Sequence, residues 1–380
     1  MKRITDKPIK LLFVFILFVT MQMMVFSVKA QTTWLGGTTA WATTTNWSTG
    51  VVPTSTTDVV INSGVTNMPI ISAASYTIKS LTLNGGATLT INATRTLTVA
   101  SLTGSGTLIN NGAIVIGDVN NLSAQFDGVI SGTGTVTKAG TGTLTLTGTN
   151  TYTGATTISA GTVAVGSATA TLGVSSATTV TGTLELNGNS LEVGSIAGAG
   201  TIKNSVAGTV YLTSGANNTS TTFSGVIGVI GDEIWVVKKG TGTLTLSGAN
   251  AYSGGTQLMA GTLSVGTIAN GGFTSNLGAG DTNPGRLIFS GGTLAVTGTT
   301  VTTDRGFQIN DGSSTINISG TSTTFSGEIT SSISTAATLI KSGAGTLVLS
   351  GSSSHDAAIT VSAGTFKLGS DLGLGSTVGA

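Results

Sequence analysis

The chain says the same thing three times. Lys138 to Gly166 reads KAGTGTLTLTGTNTYTGATTISAGTVAVG, Lys239 to Gly266 reads KGTGTLTLSGANAYSGGTQLMAGTLSVG, and Lys341 to Gly369 reads KSGAGTLVLSGSSSHDAAITVSAGTFKLG. Counted from one leading lysine to the next, Lys138 to Lys239 is 101 residues and Lys239 to Lys341 is 102. A long unit recurring at a nearly constant interval is the mark of an array whose units stack on their neighbours. Smaller echoes fill the unit: Gly-x-Gly-Thr recurs at Gly104, Gly132, Gly140, Gly198, Gly240 and Gly343, and Phe126, Phe223 and Phe325 each open a related segment.

The residues between these marks alternate. Ile78, Leu81, Leu83, Leu89, Ile91, Leu97 and Val99 are interleaved with Thr, Ser and Asn, the period of strands with one buried face. Glycine at each corner permits a turn, and the Thr and Leu that follow favour extended backbone. After Gln31 no stretch of ten or more residues spaces its apolar side chains at the helical period. The reading is all-β: one elongated parallel β-helix, with Leu, Val and Ile inside and ladders of Thr, Ser and Asn outside. At about 20–25 residues per coil and ~4.8 Å per strand, residues 31–380 give roughly 15 coils and a rod of about 70 Å. Leu144 and Leu146 are expected to point inward and Thr145 outward.

Composition narrows the function. Only 8% of residues are charged and the net charge is +1, which gives no electrostatic case for nucleic acid or an anionic membrane as partner. There is no cysteine, hence no disulfide and no thiolate metal site. Beyond residue 30 no apolar run approaches the ~20 residues of a membrane span. Residues 1–30 carry Lys2, Arg3, Lys7 and Lys10, then an apolar run from Leu11 to Phe26, then Val28-Lys29-Ala30. This is the layout of a secretory signal peptide cleaved after Ala30.

Residues 31–57 hold Trp34, Trp41 and Trp47, three of the four tryptophans. Large aromatics suit a plug over the open end of a stack of coils, so this segment reads as an N-terminal cap, with the β-helix over 58–380 and repeat cores at 126–166, 223–266 and 325–369. The same three tryptophans are the candidate glycan contact. Gly272 to Gly285 does not alternate and is expected to bulge as a loop.

Candidate catalytic groups are sparse. His355 beside Asp356 would have to supply any histidine chemistry, and its place between coils predicts a solvated loop residue. Asp232-Glu233 near Trp235 and Lys238-Lys239, and Asp304-Arg305 with Asp311, are clusters that a polysaccharide-active enzyme could use. Such an enzyme needs paired groups facing one groove, and 14 carboxylates over the whole chain favour a non-enzyme without catalytic, metal or cofactor residues. The Gly-x-Gly-Thr elements lack the Lys-Ser/Thr and the helix of a phosphate loop. Gly278-Ala-Gly-Asp281 stands singly, not in the tandem array that calcium repeats need. The Asn-x-Ser/Thr sites at Asn46, Asn92, Asn121, Asn218 and Asn317 are what a Thr-rich chain produces by composition.

The pattern GTGTLTL(T/S)G, Y(T/S)G and AGTL.VG resembles the autotransporter-associated β-strand repeat, or passenger-associated transport repeat, of large bacterial surface proteins. The third copy departs from it, with Ser353-Ser-His-Asp356 in place of the Asn-x-Tyr-(Thr/Ser)-Gly of Asn150 to Gly154 and Asn250 to Gly254. The resemblance implies a right-handed winding, export across the outer membrane and exposure at the cell surface. The expected role is a secreted or surface-exposed structural passenger, an adhesin-like stalk, with surface glycans or proteins of a host or the environment as partners. A glycan-binding module and a β-helix polysaccharide-active enzyme are the alternatives. Because Leu372 to Ala380 end before the strand that follows each earlier repeat, the last coil is expected to be unfinished and open to self-association.

Overall fold

The computed structural model of the protein describes residues 31–117, 122–310, 312–331 and 337–369. Residues 1–30, expected to be a signal peptide, and Asn121, Asp311 and Leu372 to Ala380 lie outside the described residues. The described chain is a β-solenoid of about 14 stacked coils, built from 37 short strands and two turns of 3-10 helix, with no α-helix among the described residues. Every ladder between strands is parallel, from Gln31–Thr33 on Asp58–Ile61 at one end to Thr346–Leu349 on Thr365–Leu368 at the other. The strand Thr96–Gly104 bends and joins ladders on two faces.

Alternation produces this shape because each strand buries every second residue. Leu144 and Leu146 are buried and Thr145 is half-buried on the outside, as their spacing predicts. Like sits on like along the rod: Leu144 pairs with Val163, Val163 with Leu184 and Leu184 with Ile202. Stacking identical shapes lets each interior row close without voids. Phe289, Phe307 and Phe325 come from different rows and meet edge to face in the interior, with ring centroids 5.4 and 5.3 Å apart and planes at 70° and 79°. Outside, Thr82 and Thr103 hydroxyls lie 2.9 Å apart on successive coils, and Asn84 donates to Asn62 at 2.6 Å.

Coil length varies with what the corners carry. Leu184 meets Ile202, 18 residues on, whereas Leu263 meets Leu294, 31 residues on. The longer coil holds Gly272 to Gly285, which does leave the strand pattern but is anchored at several points. Leu277 is buried, Asn250 and Ser275 form an isolated antiparallel bridge, and Arg305 donates to the carbonyls of Leu277 at 2.8 Å and Gly278 at 2.7 Å.

Three expectations are corrected. The repeat lysine is Lys238, not Lys239: Lys138, Lys238 and Lys341 are the buried ones, so the units are 100 and 103 residues apart. Lys239 lies on the surface and pairs with Glu192. The slip arises because Lys238 and Lys239 are adjacent, so either can be set against Lys138 at the head of a Gly-Thr-Gly-Thr run. His355 is not a solvated loop residue. It is 5% exposed and stands 14 residues after Lys341, where Tyr152 and Tyr252 stand after Lys138 and Lys238; both tyrosines are buried. Asparagine, too, is not confined to the surface, since Asn110, Asn150 and Asn250 are buried.

Candidate functional site

The tryptophans expected to touch glycan are brought together, but inward. Trp34, Trp41 and Trp47 are each 1% exposed. Trp47 stands edge-on between the other two, 4.8 Å from Trp34 and 4.7 Å from Trp41. Trp34 Nε1 donates to Asn67 O at 2.7 Å and Trp47 Nε1 to Trp41 O at 2.9 Å. The cluster joins the interior formed by Val59 and Ile61. Its ring faces are covered by protein, so in this geometry no sugar can stack on them, and the platform expected there is corrected on that ground.

The carboxylates and cations singled out from the sequence are mostly engaged in holding loops. Asp232 accepts from the Asn204 and Val229 N–H groups, and Glu233 accepts from the Thr209 hydroxyl at 2.7 Å. Asp304 accepts from Gly271 N at 2.7 Å. Burial pushes the Arg305 guanidinium down from its ordinary value, while Tyr252, Asp304 and Asp281 act in the opposite sense. Glu185, not noticed in the sequence, accepts from Ser205 and Asn187. Burial alone would raise its carboxyl; those hydrogen bonds, with Lys203, hold it below the usual range. Among the described residues no three His, Cys, Asp or Glu side chains gather as metal ligands.

Three internal clamps recur instead. Lys138 Nζ donates to the carbonyls of Ala139 and Gly140 at 2.5 and 2.8 Å. Lys238 Nζ donates to Lys239 O, Gly240 O and, on the next coil, Ala260 O. Lys341 Nζ does the same with Ser342 O, Gly343 O and Ala363 O. Each ammonium closes a glycine corner, and the last two tie it to the coil above. Burial lowers all three amines, Lys238 to about 8.

Twelve and fourteen residues after the lysine come the second and third parts of the device. Asn150 Oδ1 accepts from Ile130 N at 2.8 Å and its amide donates to Thr171 O at 2.7 Å, bridging three coils. Asn250 repeats this with Ile227 N and Asn276 O. The Tyr152 and Tyr252 hydroxyls bond to Thr156 and Thr256 at 2.6 and 2.9 Å. In the third unit Ser353 replaces the asparagine, His355 the tyrosine and Ile359 the threonine, and the Ser353 hydroxyl and both His355 nitrogens are left without a hydrogen-bond partner. Burial lowers the imidazole pKa, and the Ala357 backbone and the charge of Asp356 offset part of that.

A parallel β-solenoid in which a buried lysine closes the same corner in three units, joined in two of them by an asparagine and a tyrosine, is a repeat protein by construction. The family of the passenger-associated transport repeat matches at residues 136–165, 236–265 and 339–368, the three copies themselves. The chain therefore carries three passenger-associated transport repeats. A second family, described only as a domain of unknown function, matches residues 33–147, running through the expected boundary between 57 and 58. The chain is also similar to the adhesin BmaC autotransporter of Brucella suis biovar 1 (strain 1330), 46% identical over 130 residues. That match covers 33% of this chain and 4% of the relative. No solved structure matches.

Proposed function

We propose that the chain is an adhesin-like segment of an autotransporter passenger: a non-catalytic stalk that holds a contact surface away from the bacterial cell. The observation that carries this reading is the use to which the solenoid puts its polar groups. Buried Lys, Asn, Tyr and Arg side chains are spent on closing corners and tying coils together, with the lysine in all three units and the asparagine and tyrosine in two, which is what a spacer needs and an active site does not. Likeness to an adhesin autotransporter supports the same reading. Residues 1–30 then act as the export signal, removed after Ala30, and the coils wind in the right-handed sense usual for parallel strand connections.

The test is made on intact cells of the producing bacterium. An antibody to the solenoid should label unpermeabilised cells, and external protease should remove the label. The exported form should begin at Gln31 by N-terminal sequencing, and deletion of the gene should reduce attachment to host or abiotic surfaces. Label confined to permeabilised cells, or attachment unchanged by the deletion, overturns the proposal.

A further inference from the structure

Trp235 is the one tryptophan outside the buried cluster. It lies on the strand Ile234–Lys238, directly beside Tyr211 on the preceding coil and Gly255 on the next. Tyr211 is 46% exposed and Trp235 half-buried. Their ring planes are within 28° of one another with centroids 6.2 Å apart. A Cβ placed on Gly255 would fall 2.9 Å from the far edge of the indole, so the ring lies against glycine backbone, and half-burial leaves part of it open to solvent. Glycine here is what lets a large ring lie along the sheet.

Polar groups frame the rings. The Arg286 guanidinium carbon sits 6.0 Å from the Trp235 ring centre and is fixed by a 2.7 Å hydrogen bond to Gly254 O. Glu233, two residues before Trp235 and so on the same side of its strand, is exposed, and Thr209 holds one of its oxygens. Glu233 also lines a cleft of about 340 Å³ between residues 204–208 and 229–233. Two aromatic rings within 28° of parallel, with a fixed donor over one of them and a fixed acceptor two residues along the strand, match a pyranose. Its C–H face is apolar enough to lie on an aromatic ring, and its rim hydroxyls both donate and accept.

We propose that Tyr211 and Trp235, flanked by Arg286 and Glu233, form a glycan-binding platform on the side of the rod. The inference rests on the adhesin reading in supplying the surface by which such a stalk makes contact. The alternative explanation, a cross-strand pair that only stabilises the sheet, predicts no ligand.

The full chain, recovered from an exporting bacterial host, is applied to an array of pyranose-containing oligosaccharides, and hits are titrated by tryptophan fluorescence. Because Trp34, Trp41 and Trp47 are buried, a saturable change in emission reports on Trp235. Tyr211→Ala and Trp235→Ala should each weaken binding at least about tenfold, the value of one aromatic contact, and Glu233→Gln should weaken it too. Tyr211→Ala removes an exposed ring and leaves the fold intact, so a folding defect in the tryptophan variant does not spoil the comparison. Absence of any saturable hit, or full binding by Tyr211→Ala and Glu233→Gln, overturns the site. Attachment of cells carrying Tyr211→Ala separates the two ideas: unchanged attachment with no glycan binding refutes the platform alone, and attachment that never depended on the chain refutes the stalk.

Discussion

A buried lysine without an ion pair is unusual, and among the described residues Lys138, Lys238 and Lys341 are all buried and enter none of the salt bridges. Three carbonyl oxygens take the place of a counter-ion around Lys238 and around Lys341. Replacing Lys238 by Met keeps the stem and strands three acceptors in a dry corner, an expected loss of about 2–4 kcal/mol, to be read from chemical denaturation. The pH dependence has a definite sign. The folded amine titrates near 8 and the unfolded one near the model value of 10.5. Below about pH 8 both states are charged and the burial cost is fully present; between about 8 and 10.5 the unfolded chain holds more protons, so stability rises with pH. Tyr252, raised to about 12, and Tyr152, raised as well, act oppositely, since above pH 10 only the unfolded phenols ionise. A denaturation midpoint that climbs from pH 7.5 to 9.5, less so in Lys238→Met, and falls beyond pH 10 is the expected result. A flat profile over the first window would mean that the carbonyl cradle fully offsets burial.

At the scale of strands and corners, glycine does two different jobs. In one, the corners of successive coils touch backbone to backbone: a Cβ on Gly248 would lie 1.8 Å from Gly225 O, and one on Gly148 1.9 Å from Gly128 O. In the other, as at Gly280, a Cβ meets nothing closer than 3.4 Å. Gly248→Ala should therefore cost several kcal/mol by forcing coils apart, while Gly280→Ala should change the melting temperature little. Strands and their inward and outward faces were legible in the sequence because period two is written directly into Leu144-Thr145-Leu146. The tryptophan cluster was legible as a cap-like group but not as to which way its rings face, since three indoles near an end serve equally to seal or to bind. His355 misled because its neighbours Ser353, Ser354 and Asp356 look like a turn; only alignment on the correct lysine sets it against Tyr152 and Tyr252. The Tyr211–Trp235 pair was invisible, since residues 24 apart meet only once the coil length between them is known.

For the whole molecule, the unit of construction is the coil and not the 100-residue repeat. Thr143 pairs with Thr162 and Val136 with Thr156, which in turn pairs with Thr178. Removing residues 143–161 should let the strand from Thr162 occupy the place of the one from Thr143, with apolar rows and the Lys138 corner still in register. The shortened chain should fold with an unchanged β-sheet circular dichroism shape and a slightly lower melting temperature. Removing residues 143–151 instead turns the interior row to the outside and should give aggregated protein. Equal solubility of the two deletions would show that the coil is not the independent unit.

The buried lysine clamps have a mechanical consequence. Hydrogen bonds between coils run along the rod, so a load applied to its two ends pulls on them directly and peels one coil at a time. Each coil that lets go should release about 20 residues, roughly 60–70 Å of slack chain, giving a regular staircase in a force–extension trace. Lys238 and Lys341 cross-link a corner to the coil above, so they act as ratchet teeth at which peeling pauses, and Lys238→Met should erase one pause and leave the rest. As the stalk proposed above, a rod of this kind would yield by lengthening in steps and reseat each coil when the pull relaxes, which would let a cell ride out a gust of flow without losing its hold.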